Sequence, residues 1–433
     1  MKQFTAILIG AGLRGNGYTS RMRAYKEQFK VVAVADPLQI RRQDIQRKHD
    51  VPDEMCFDTY DEILSKPKMA DLAIIATMDN AHYEPAMKAI ELGYDILLEK
   101  PVAPTAQECV DIALAAEKKG VKVLVCHVLR YTPFYKKVKK LVMDGVIGDV
   151  MSIIQVEGVG NVHQSHSYVR GNWHSEAETT PMLLAKCCHD LDIIQWLMDE
   201  PCEKVQSFGK LTHFVPENAP VGAPKRCIDG GCPAEATCPY NCRKIYYEDK
   251  KNAWFRCACT RGIAKGDVPT DEEVMTALQT TDYGRCVYQA NNDVVDHQTV
   301  NLQFKSGANA TLTMNAFNQG GRYIRIFGTK GELFARMVDE NIDVYTFEDK
   351  KHTFVPVLSK EEESIVGGHG GGDAGLVREL YDYFSDNYTG YCAADIHISV
   401  KNHLIGFAAE ESRREDTVVN IDRFFAQYGL QND

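Results

Sequence analysis

The chain has 433 residues, of which 44% are hydrophobic and 25% charged, and this composition is typical of a globular protein with two domains. Its formal net charge of −11 argues against a nucleic-acid partner, because neutralising phosphates requires an excess of Lys and Arg. No apolar run approaches the roughly 20 residues of a membrane helix, and the N-terminus has no signal-peptide pattern. We therefore expect a cytoplasmic protein that binds neither nucleic acid nor membrane.

The first part of the chain alternates short apolar runs with stretches of helical periodicity. The runs predicted as strands cover residues 4–9, 30–36, 72–76, 95–98 and 121–126. Helices are predicted after the first strand and over residues 38–49, 81–92 and 105–119. Short apolar strands separated by helices indicate a parallel sheet that is covered on both faces. The sequence thus predicts an α/β protein with an N-terminal, doubly wound Rossmann domain over residues 1–129.

The pattern changes after that domain. A helix over residues 132–144 precedes strand-like runs at 150–158, 300–304, 308–315 and 323–328, and helices at 374–387 and 397–414 follow them. The spacing predicts a C-terminal α/β domain, residues 130–433, with an open, mostly antiparallel sheet for substrate binding and oligomerisation. Residues 211–281 are rich in Pro, Gly and Cys with little periodicity, which predicts a long insertion.

A glycine-rich turn follows the first predicted strand. Gly10, Gly12 and Gly15 fit G-x-G-x-x-G between a strand and a helix, where the motif binds a dinucleotide. The first glycine allows the tight turn, the second the approach of the pyrophosphate, and the third close packing of helix and strand. The unpaired N–H groups of the helix N-terminus attract the phosphates.

The second predicted strand ends at Asp36, about 20 residues beyond the turn. A carboxylate there accepts hydrogen bonds from the adenosine ribose and repels a 2′-phosphate. NAD is therefore predicted as the cofactor in preference to NADP, although Arg41 and Arg42 lie close enough in sequence to complicate that preference.

The tripeptide Glu99-Lys100-Pro101 follows the strand at residues 95–98. Ligands of a doubly wound sheet bind at the carboxyl ends of its strands, so Lys100 is predicted to face the nicotinamide. There it can hydrogen-bond the reacting hydroxyl and stabilise a developing alkoxide. A solvated lysine at a strand end is the alternative for such a tripeptide taken alone.

Four motifs together resemble the Gfo/Idh/MocA oxidoreductase family: G-x-G-x-R-G, V-A-D-P, E-K-P and F-G-T-K-G-E-L at residues 327–333. The resemblance extends over about residues 2–333. It implies a homo-oligomer, a dimer or tetramer, that oxidises or reduces a hydroxyl or carbonyl of a sugar, an inositol or a related small molecule, with Lys100 as the catalytic lysine. The residues predicted to contact the cofactor are Gly10, Gly12, Leu13, Arg14, Gly15, Asp36, Thr77, His82, Glu99 and Lys100.

The family's second catalytic motif, D-x-x-x-H on a helix, has a partial match at residues 184–190. His189 matches the histidine and is the predicted general base, since imidazole titrates near neutral pH. Ala185 stands where the aspartate is expected, and Asp190 is predicted to lie on a different helical face. Lys186, one turn before His189, is predicted to hydrogen-bond the substrate or the nicotinamide ribose. A buried histidine in an apolar helix is the alternative for His189.

Three further segments are predicted to line the substrate pocket. Arg170, Asn172 and Trp173 combine charged, amide and aromatic groups that suit a carbohydrate. His297 lies in a polar stretch just before a strand, and His369 lies among glycines that would let a ligand approach closely. Loops or turns stabilised by local hydrogen bonds are the alternative for each segment.

Six of the 14 cysteines fall between residues 227 and 259. Clustered thiolates bind Zn²⁺ or an iron–sulfur cluster, and such a metal would order the insertion. Cys227, Cys232, Cys238 and Cys242 are the candidate ligands of a closed, structural site. Their spacing lacks paired C-x-x-C motifs, so free thiols remain the alternative.

The leading functional prediction is hydride transfer at a CH–OH group of a sugar or polyol, with His189 moving the proton and Lys100 polarising the oxygen. One alternative is a redox-neutral, NAD-dependent glycoside hydrolase that oxidises its sugar transiently. A second alternative is a non-catalytic sensor of NAD or sugar.

Overall fold

The computed structural model describes residues 2–266, 268–358 and 368–432. Its N-terminal sheet has six strands in the order β3-β2-β1-β4-β5-β6, and all neighbours are parallel. The strands are β1 (Phe4–Ile9), β2 (Phe29–Ala35), β3 (Cys56–Phe57), β4 (Leu72–Ile75), β5 (Asp95–Leu98) and β6 (Val123–Val125). The helices are α1 (Leu13–Met22), α2 (Gln39–His49), α3 (Tyr60–Leu64), α4 (Tyr83–Leu92) and α5 (Ala106–Lys119). This confirms the predicted doubly wound Rossmann sheet.

The order of the strands explains where the site forms. β1 and β4 are neighbours although β2 follows β1 in the chain, so the connections leave in opposite directions at the carboxyl ends of these two strands. That point is where a doubly wound sheet leaves a crevice for ligands. The glycine-rich turn follows β1, and the segment 76–82 follows β4 at the same edge.

The second domain contains a nine-stranded sheet in the order β14-β13-β12-β11-β7-β10-β9-β8-β15. Its neighbours are antiparallel except for β7 and β10, which are parallel. The strands are β7 (Val150–Gly158), β8 (Cys202–Lys210), β9 (His297–Phe304), β10 (Asn309–Asn315), β11 (Gly321–Gly328), β12 (Gly331–Arg336), β13 (Asn341–Thr346), β14 (Lys351–Pro356) and β15 (Val419–Asn420). The predicted open and mostly antiparallel sheet is therefore confirmed.

Further helices connect and follow these strands, and some of them pack on one face of the sheet. They are α6 (Pro133–Met143), α7 (Asn161–His163), α8 (Met182–Ala185), α9 (Cys188–Met198), α10 (Ala253–Cys259), α11 (Asp271–Thr280), α12 (Gly372–Phe384), α13 (Ile396–Glu415) and α14 (Ile421–Ala426). A π-helical segment, Gln164–Arg170, continues α7 directly. The opposite face of the sheet carries exposed apolar side chains, among them Ile154, Phe208, Tyr323 and Phe334.

The insertion contains helices, although its sequence shows little periodicity and predicts a long loop-like segment. It contains α10, α11 and a π-helical turn, Arg243–Glu248. These elements enclose an apolar core of their own, formed by Ile228, Cys242, Ile245, Tyr246, Phe255, Cys259, Val274, Ala277 and Leu278. The physical reason for its order is thus burial of apolar side chains, which a composition rich in Pro, Gly and Cys concealed.

The C-terminal helices pack against the Rossmann domain. The ring of Tyr381 in α12 lies edge-on to Phe4 with centroids 5.5 Å apart, and its hydroxyl donates to the carbonyl of Lys2 at 3.0 Å. The N–H of Val125 in β6 donates to the carbonyl of Ala394 at 3.1 Å. One continuous apolar core therefore joins the two domains, and the predicted boundary at residue 129 stays a prediction. Among the described residues, no helix combines the length and the apolar character needed to cross a bilayer.

Candidate active site

The glycine-rich turn has the geometry of a phosphate cradle. Gly10 has a φ of +89°, and a Cβ there would overlap the carbonyl oxygen of Ala76. A Cβ at Gly15 would overlap the carbonyl oxygen of Gly10, whereas one at Gly12 would meet nothing within 4 Å. The first turn of α1 has no side-chain cap and no acidic residue. Free N–H groups and open space over Gly12 therefore suit the pyrophosphate of a dinucleotide.

Asp36 lies directly beside this turn. Its buried carboxylate accepts hydrogen bonds from the N–H groups of Ala11 and Leu38, at 2.8 and 2.9 Å. The Arg41 guanidinium is 3.7 Å from the same carboxylate. Arg42 turns away, because it donates to the carbonyl of Asp36 at 2.6 Å and pairs with Asp58 at 2.5 Å. Of the two arginines, Arg41 is therefore the one that pairs with the Asp36 carboxylate.

Arg14 and Glu99, both predicted to contact the cofactor, are partners of each other. Arg14 donates to Glu99 at 2.6 Å and pairs with Asp373 of α12 at 2.9 Å. The hydroxyl of Tyr18 also donates to Glu99 at 2.5 Å. Burial alone would raise the pKa of the Glu99 carboxyl, but the charges of Arg14 and Lys100 lower it below its usual value. This buried network joins α1, the end of β5 and α12.

Thr77 and His82 brace the segment that follows β4. One ring nitrogen of His82 lies 2.6 Å from the carbonyl oxygen of Pro101, and the other lies 3.3 Å from that of Thr77. The Thr77 hydroxyl donates to the carbonyl of Ala81 at 2.7 Å. Both side chains thus stabilise the backbone around the crevice.

Lys100 reaches across the crevice into the second domain. Its ammonium donates to the carbonyl of Ala185 at 2.7 Å. Ala185 is the last residue of α8, and His189 is the second residue of α9. The structure therefore brings the predicted catalytic lysine to the end of α8, just before the helix that carries the predicted catalytic histidine.

Lys186 differs from its prediction as a residue one helical turn before His189. The helix ends at Ala185, and Lys186 has φ −120° and ψ −53° in the break between α8 and α9. Its ammonium lies 3.6 Å from the carboxylate of Glu157 at the end of β7. Burial lowers the pKa of the Lys186 ammonium, although Glu157 opposes this. Lys186 is thus held in a buried charge cluster.

Arg322 of β11 completes that cluster. Its guanidinium pairs with Glu157 at 2.5 Å and with Asp190 at 2.9 Å. Burial raises the pKa of Glu157 even though Arg322 and Lys186 lower it. Asp190 is fully buried in these contacts. Its carboxylate is therefore paired with Arg322 inside this buried cluster.

A second buried group lies behind His189. The ring centroids of His189 and His127 are 6.0 Å apart, and His127 lies 3.7 Å from Asp192. Burial lowers the pKa of His127 to about 4. Arg130 donates twice to Asp192, at 2.7 Å each, and its charge helps to lower the pKa of that carboxyl against the effect of burial. The imidazole of His127 is therefore uncharged at neutral pH and packs beside His189.

Trp173 and Asn172 reach the Rossmann domain. The indole N–H of Trp173 lies 3.0 and 3.1 Å from the two carboxylate oxygens of Asp79, which follows β4. Asn172 lies 3.7 Å from the sulfur of Met78. The loop that carries them therefore crosses the mouth of the crevice, where the sequence predicts substrate-binding residues.

The other predicted substrate residues have different surroundings. Arg170 is buried and donates to the carbonyls of Arg285 and Tyr240, at 2.8 and 2.7 Å, which braces the insertion. His297 is the first residue of β9, an interior strand, and one of its ring nitrogens lies 2.8 Å from the carboxylate of Asp296. His369 has its backbone in a short 3₁₀ turn, and its side chain falls outside the described residues.

The cysteine cluster gives the predicted zinc or iron–sulfur site no support. Within residues 2–266, 268–358 and 368–432, no three His, Cys, Asp or Glu side chains are arranged to hold a metal ion. Cys227, Cys232 and Cys238 line one small pocket, and the N–H of Cys242 donates to the sulfur of Cys227 at 3.4 Å. A hydrogen bond from the Cys242 thiol lowers the pKa of Cys227 below its usual value. None of these four cysteines forms a disulfide bond.

Sequence reasoning missed several groups at the crevice, namely Asp79, Glu157 and Arg322. Asp79 follows a predicted strand at its carboxyl end, so the rule that singled out Lys100 could have found it. Glu157 is a charge inside a β-branched run. Arg322 gave no signal, since only the pairing of β11 with β7 places it beside Glu157.

Comparison with known proteins agrees with this geometry. The profile of an NAD-binding Rossmann fold of the Gfo/Idh/MocA oxidoreductases matches residues 4–127, and that of their C-terminal α/β domain matches residues 139–421. The chain is 26% identical to the putative oxidoreductase YteT of Bacillus subtilis, over 76% of each chain. It is 24% identical to inositol 2-dehydrogenase/D-chiro-inositol 3-dehydrogenase of Lactiplantibacillus plantarum, over 50% of this chain and 59% of that enzyme.

Two further proteins define the similarity. A 2,7-anhydro-N-acetylneuraminate hydratase of Escherichia coli is 28% identical to this chain. The matched region covers 48% of this chain and 55% of that enzyme. The solved structure of levoglucosan dehydrogenase with NADH and L-sorbose superposes with a TM-score of 0.70 at 17% identity, covering 97% of this chain and 99% of that one. That structure shows the likeness of the fold. The chain belongs to the Gfo/Idh/MocA oxidoreductase family.

Proposed function

We propose that the protein is an NAD-dependent oxidoreductase that acts on a CH–OH group of a sugar, a polyol or a sugar derivative. The observation that carries the proposal is the contact between the Lys100 ammonium and the Ala185 carbonyl, because it directs a cation from the end of β5 towards the segment that carries His189. Similarity to inositol dehydrogenases supports this substrate class.

The residues of the crevice have separate tasks in this proposal. The cofactor, when bound on the glycine-rich turn, supplies a hydride acceptor. Lys100 hydrogen-bonds the substrate oxygen and stabilises negative charge on it. His189 takes the hydroxyl proton during oxidation and returns it during reduction. Trp173 and Asn172 narrow the mouth of the crevice, and Lys186 hydrogen-bonds a second hydroxyl of the substrate.

For the cofactor we propose NAD rather than NADP, since the buried Asp36 carboxylate would repel a 2′-phosphate. Arg41, 3.7 Å from that carboxylate, partly offsets the repulsion. Calorimetric titration with NAD⁺ and NADP⁺ tests this preference. At least tenfold tighter binding of NAD⁺ is expected, and equal affinities would refute it.

The experiment for the reaction is a screen of sugars, polyols and inositols with the purified protein and NAD⁺, followed by NADH absorbance. A net rise of NADH with at least one substrate is expected. The variant His189→Asn should abolish that rise while its affinity for NAD⁺ stays unchanged. An unchanged rate in that variant would refute the assigned role of His189.

A second candidate is redox-neutral cleavage of a glycoside. Ala185 in place of the family's aspartate favours it, and so does a relative whose name, a hydratase, denotes no net oxidation. Release of nitrophenol from nitrophenyl glycosides without accumulation of NADH would establish this reaction. Tight binding of NAD⁺ with neither signal would instead favour a non-catalytic sensor.

We also propose that the protein is a homo-oligomer that pairs through the open face of the nine-stranded sheet. Ile154 and Phe334 are each exposed by more than a third on that face, and both lie across from Arg325 in the strand register. Exposed apolar patches on a sheet face are typical of subunit interfaces. Light scattering after chromatography should give a multiple of 48.6 kDa. The double variant I154E/F334K should give the monomer mass, and a monomeric wild type would refute the proposal.

A further inference from the structure

Part of the cysteine-rich insertion lies against the nucleotide crevice. The Arg261 guanidinium, just beyond α10, donates to the carbonyls of Ala11 and Gly12 at 2.9 and 3.4 Å. Arg41 in turn donates to the carbonyl of Arg261 at 3.0 Å. A segment 250 positions further along the chain thus contacts both the phosphate cradle and a residue beside Asp36.

A packing contact supports the same placement. A Cβ at Gly262 would lie 3.2 Å from a methyl group of Leu38, so the backbone there approaches the start of α2 closely. We refer to Arg261 and Gly262 together as the clasp. Its contacts on the glycine-rich turn and on the segment after β2 are on two sides of the groove that the adenosine half of a dinucleotide would fill.

The clasp leaves the cradle itself open. A Cβ at Gly12 would meet nothing within 4 Å, although Arg261 binds the carbonyl of that residue. The nearby carboxylate of Asp44 in α2 is hydrogen-bonded by Lys48 and Arg47, and Arg261 adds only a lesser Coulombic stabilisation to it. A guanidinium at this position can keep a donor on the turn and direct others to a phosphate, because its N–H groups form a planar fork.

We propose that Arg261 binds the pyrophosphate of the dinucleotide and that the clasp slows cofactor release. The insertion then has a specific task, which is retention of NAD(H). This inference depends on cofactor binding alone, so it can fail or hold independently of the proposed substrate.

The decisive variant is Arg261→Gln, because glutamine keeps an N–H donor for the carbonyl of Ala11 but removes the positive charge. The variant Arg261→Lys keeps the charge and loses the fork. The matched control is Arg243→Ala, since Arg243 donates to the carbonyl of Ile228 at 2.9 Å inside the same insertion. The probes are NAD⁺, ADP-ribose and adenosine, measured by calorimetry, with cofactor release followed by stopped-flow fluorescence of NADH.

With R261Q we expect about tenfold weaker binding of NAD⁺ and ADP-ribose, with correspondingly faster NADH release, because one charge-assisted hydrogen bond is lost. Binding of adenosine should change less than about twofold, R261K should be intermediate, and R243A should match the wild type. Unchanged affinity and release in R261Q would overturn the proposal. So would an equal loss in R243A, or adenosine weakened as much as ADP-ribose.

Discussion

The ammonium of Lys100 and the carbonyl oxygen of Ala185 lie 2.7 Å apart and join β5 of the Rossmann domain to α8 of the second domain. A carbonyl is a neutral acceptor, so a substrate oxygen that gains negative charge is a stronger partner for the same ammonium. The contact therefore positions Lys100 without committing its charge to a carboxylate.

Replacing Lys100 by Met should lower kcat by about 10²- to 10³-fold, because the transition state loses a charged donor to the developing oxyanion. The affinity for NAD⁺, measured by calorimetry, should change by no more than about twofold. Lys88→Met is the control, since Lys88 is half-exposed and pairs with Asp61 on the surface. A kcat within tenfold of the wild type would show that Lys100 only joins the domains.

Alanine at two glycines of the same turn should affect different properties, stability at Gly15 and cofactor affinity at Gly12. Gly15→Ala should lower the free energy of unfolding by about 1–3 kcal/mol, because its methyl group would overlap the carbonyl of Gly10. Gly12→Ala should leave that free energy nearly unchanged but weaken NAD⁺ at least tenfold, because its methyl group would enter the cradle. Urea unfolding and calorimetry measure the two effects. A Gly12→Ala variant with normal NAD⁺ affinity would contradict the assignment of the cradle.

Trp173→Phe removes the indole N–H that donates to the buried carboxylate of Asp79. That carboxylate then retains the hydrogen bond from the Thr180 hydroxyl, at 3.1 Å. We expect a loss of about 1–3 kcal/mol in the free energy of unfolding, measured in urea, and a higher KM. Trp254→Phe is the control, because Trp254 is 47% exposed. Equal stability of the two variants would mean that the link to Asp79 contributes nothing.

The stability of the protein should fall as the pH drops from about 6.5 to 4. Burial lowers the pKa of His127 to about 4 and that of His403 to about 3, so the unfolded chain binds these protons first. The stabilising contribution is complete above the unfolded pKa and is lost on acidification, by up to about 1.4 kcal/mol per pH unit for each histidine. Urea unfolding at a series of pH values measures this slope. It should be smaller in His127→Gln, and an identical slope in that variant would exclude His127 as a source.

The apolar core of the insertion should hold it together. Leu278→Ala should cost about 2–5 kcal/mol locally, because Leu278 is fully buried there. Limited proteolysis should then cut within residues 211–281 well before the rest of the chain. Treatment of the wild type with a metal chelator should leave its cleavage pattern unchanged. If the chelator alone makes residues 211–281 of the wild type susceptible to proteolysis, the metal-site prediction from the sequence is right.

The sequence predicted the elements that bury continuous apolar runs. The strands at residues 4–9, 95–98 and 150–158 have the predicted bounds, because burial on one or both faces imposes a regular pattern. β3 has only two residues, and β14 is exposed along most of its length, so neither carries such a pattern. α11 was missed although Thr270 and Glu273 form a capping box, which is a sequence signal.

The site was predictable only where a residue follows a strand or matches a motif. Lys100 and Asp36 met that condition. The partners of Lys186 did not, because Glu157 and Arg322 come from strands that only the sheet register makes neighbours. No local sequence pattern indicates the contact of Arg261, since it depends on how the whole insertion folds back onto the glycine-rich turn.

The packing of α12 against the start of the chain has a consequence for synthesis. Arg14 can pair with Asp373, and Phe4 can pack on Tyr381, only after the chain up to residue 381 has left the ribosome. Until then the emerging nucleotide domain exposes an aromatic surface and an incompletely neutralised arginine. Chains that stop before α12 should therefore depend on chaperones and be prone to aggregation, however complete their own six-stranded sheet is.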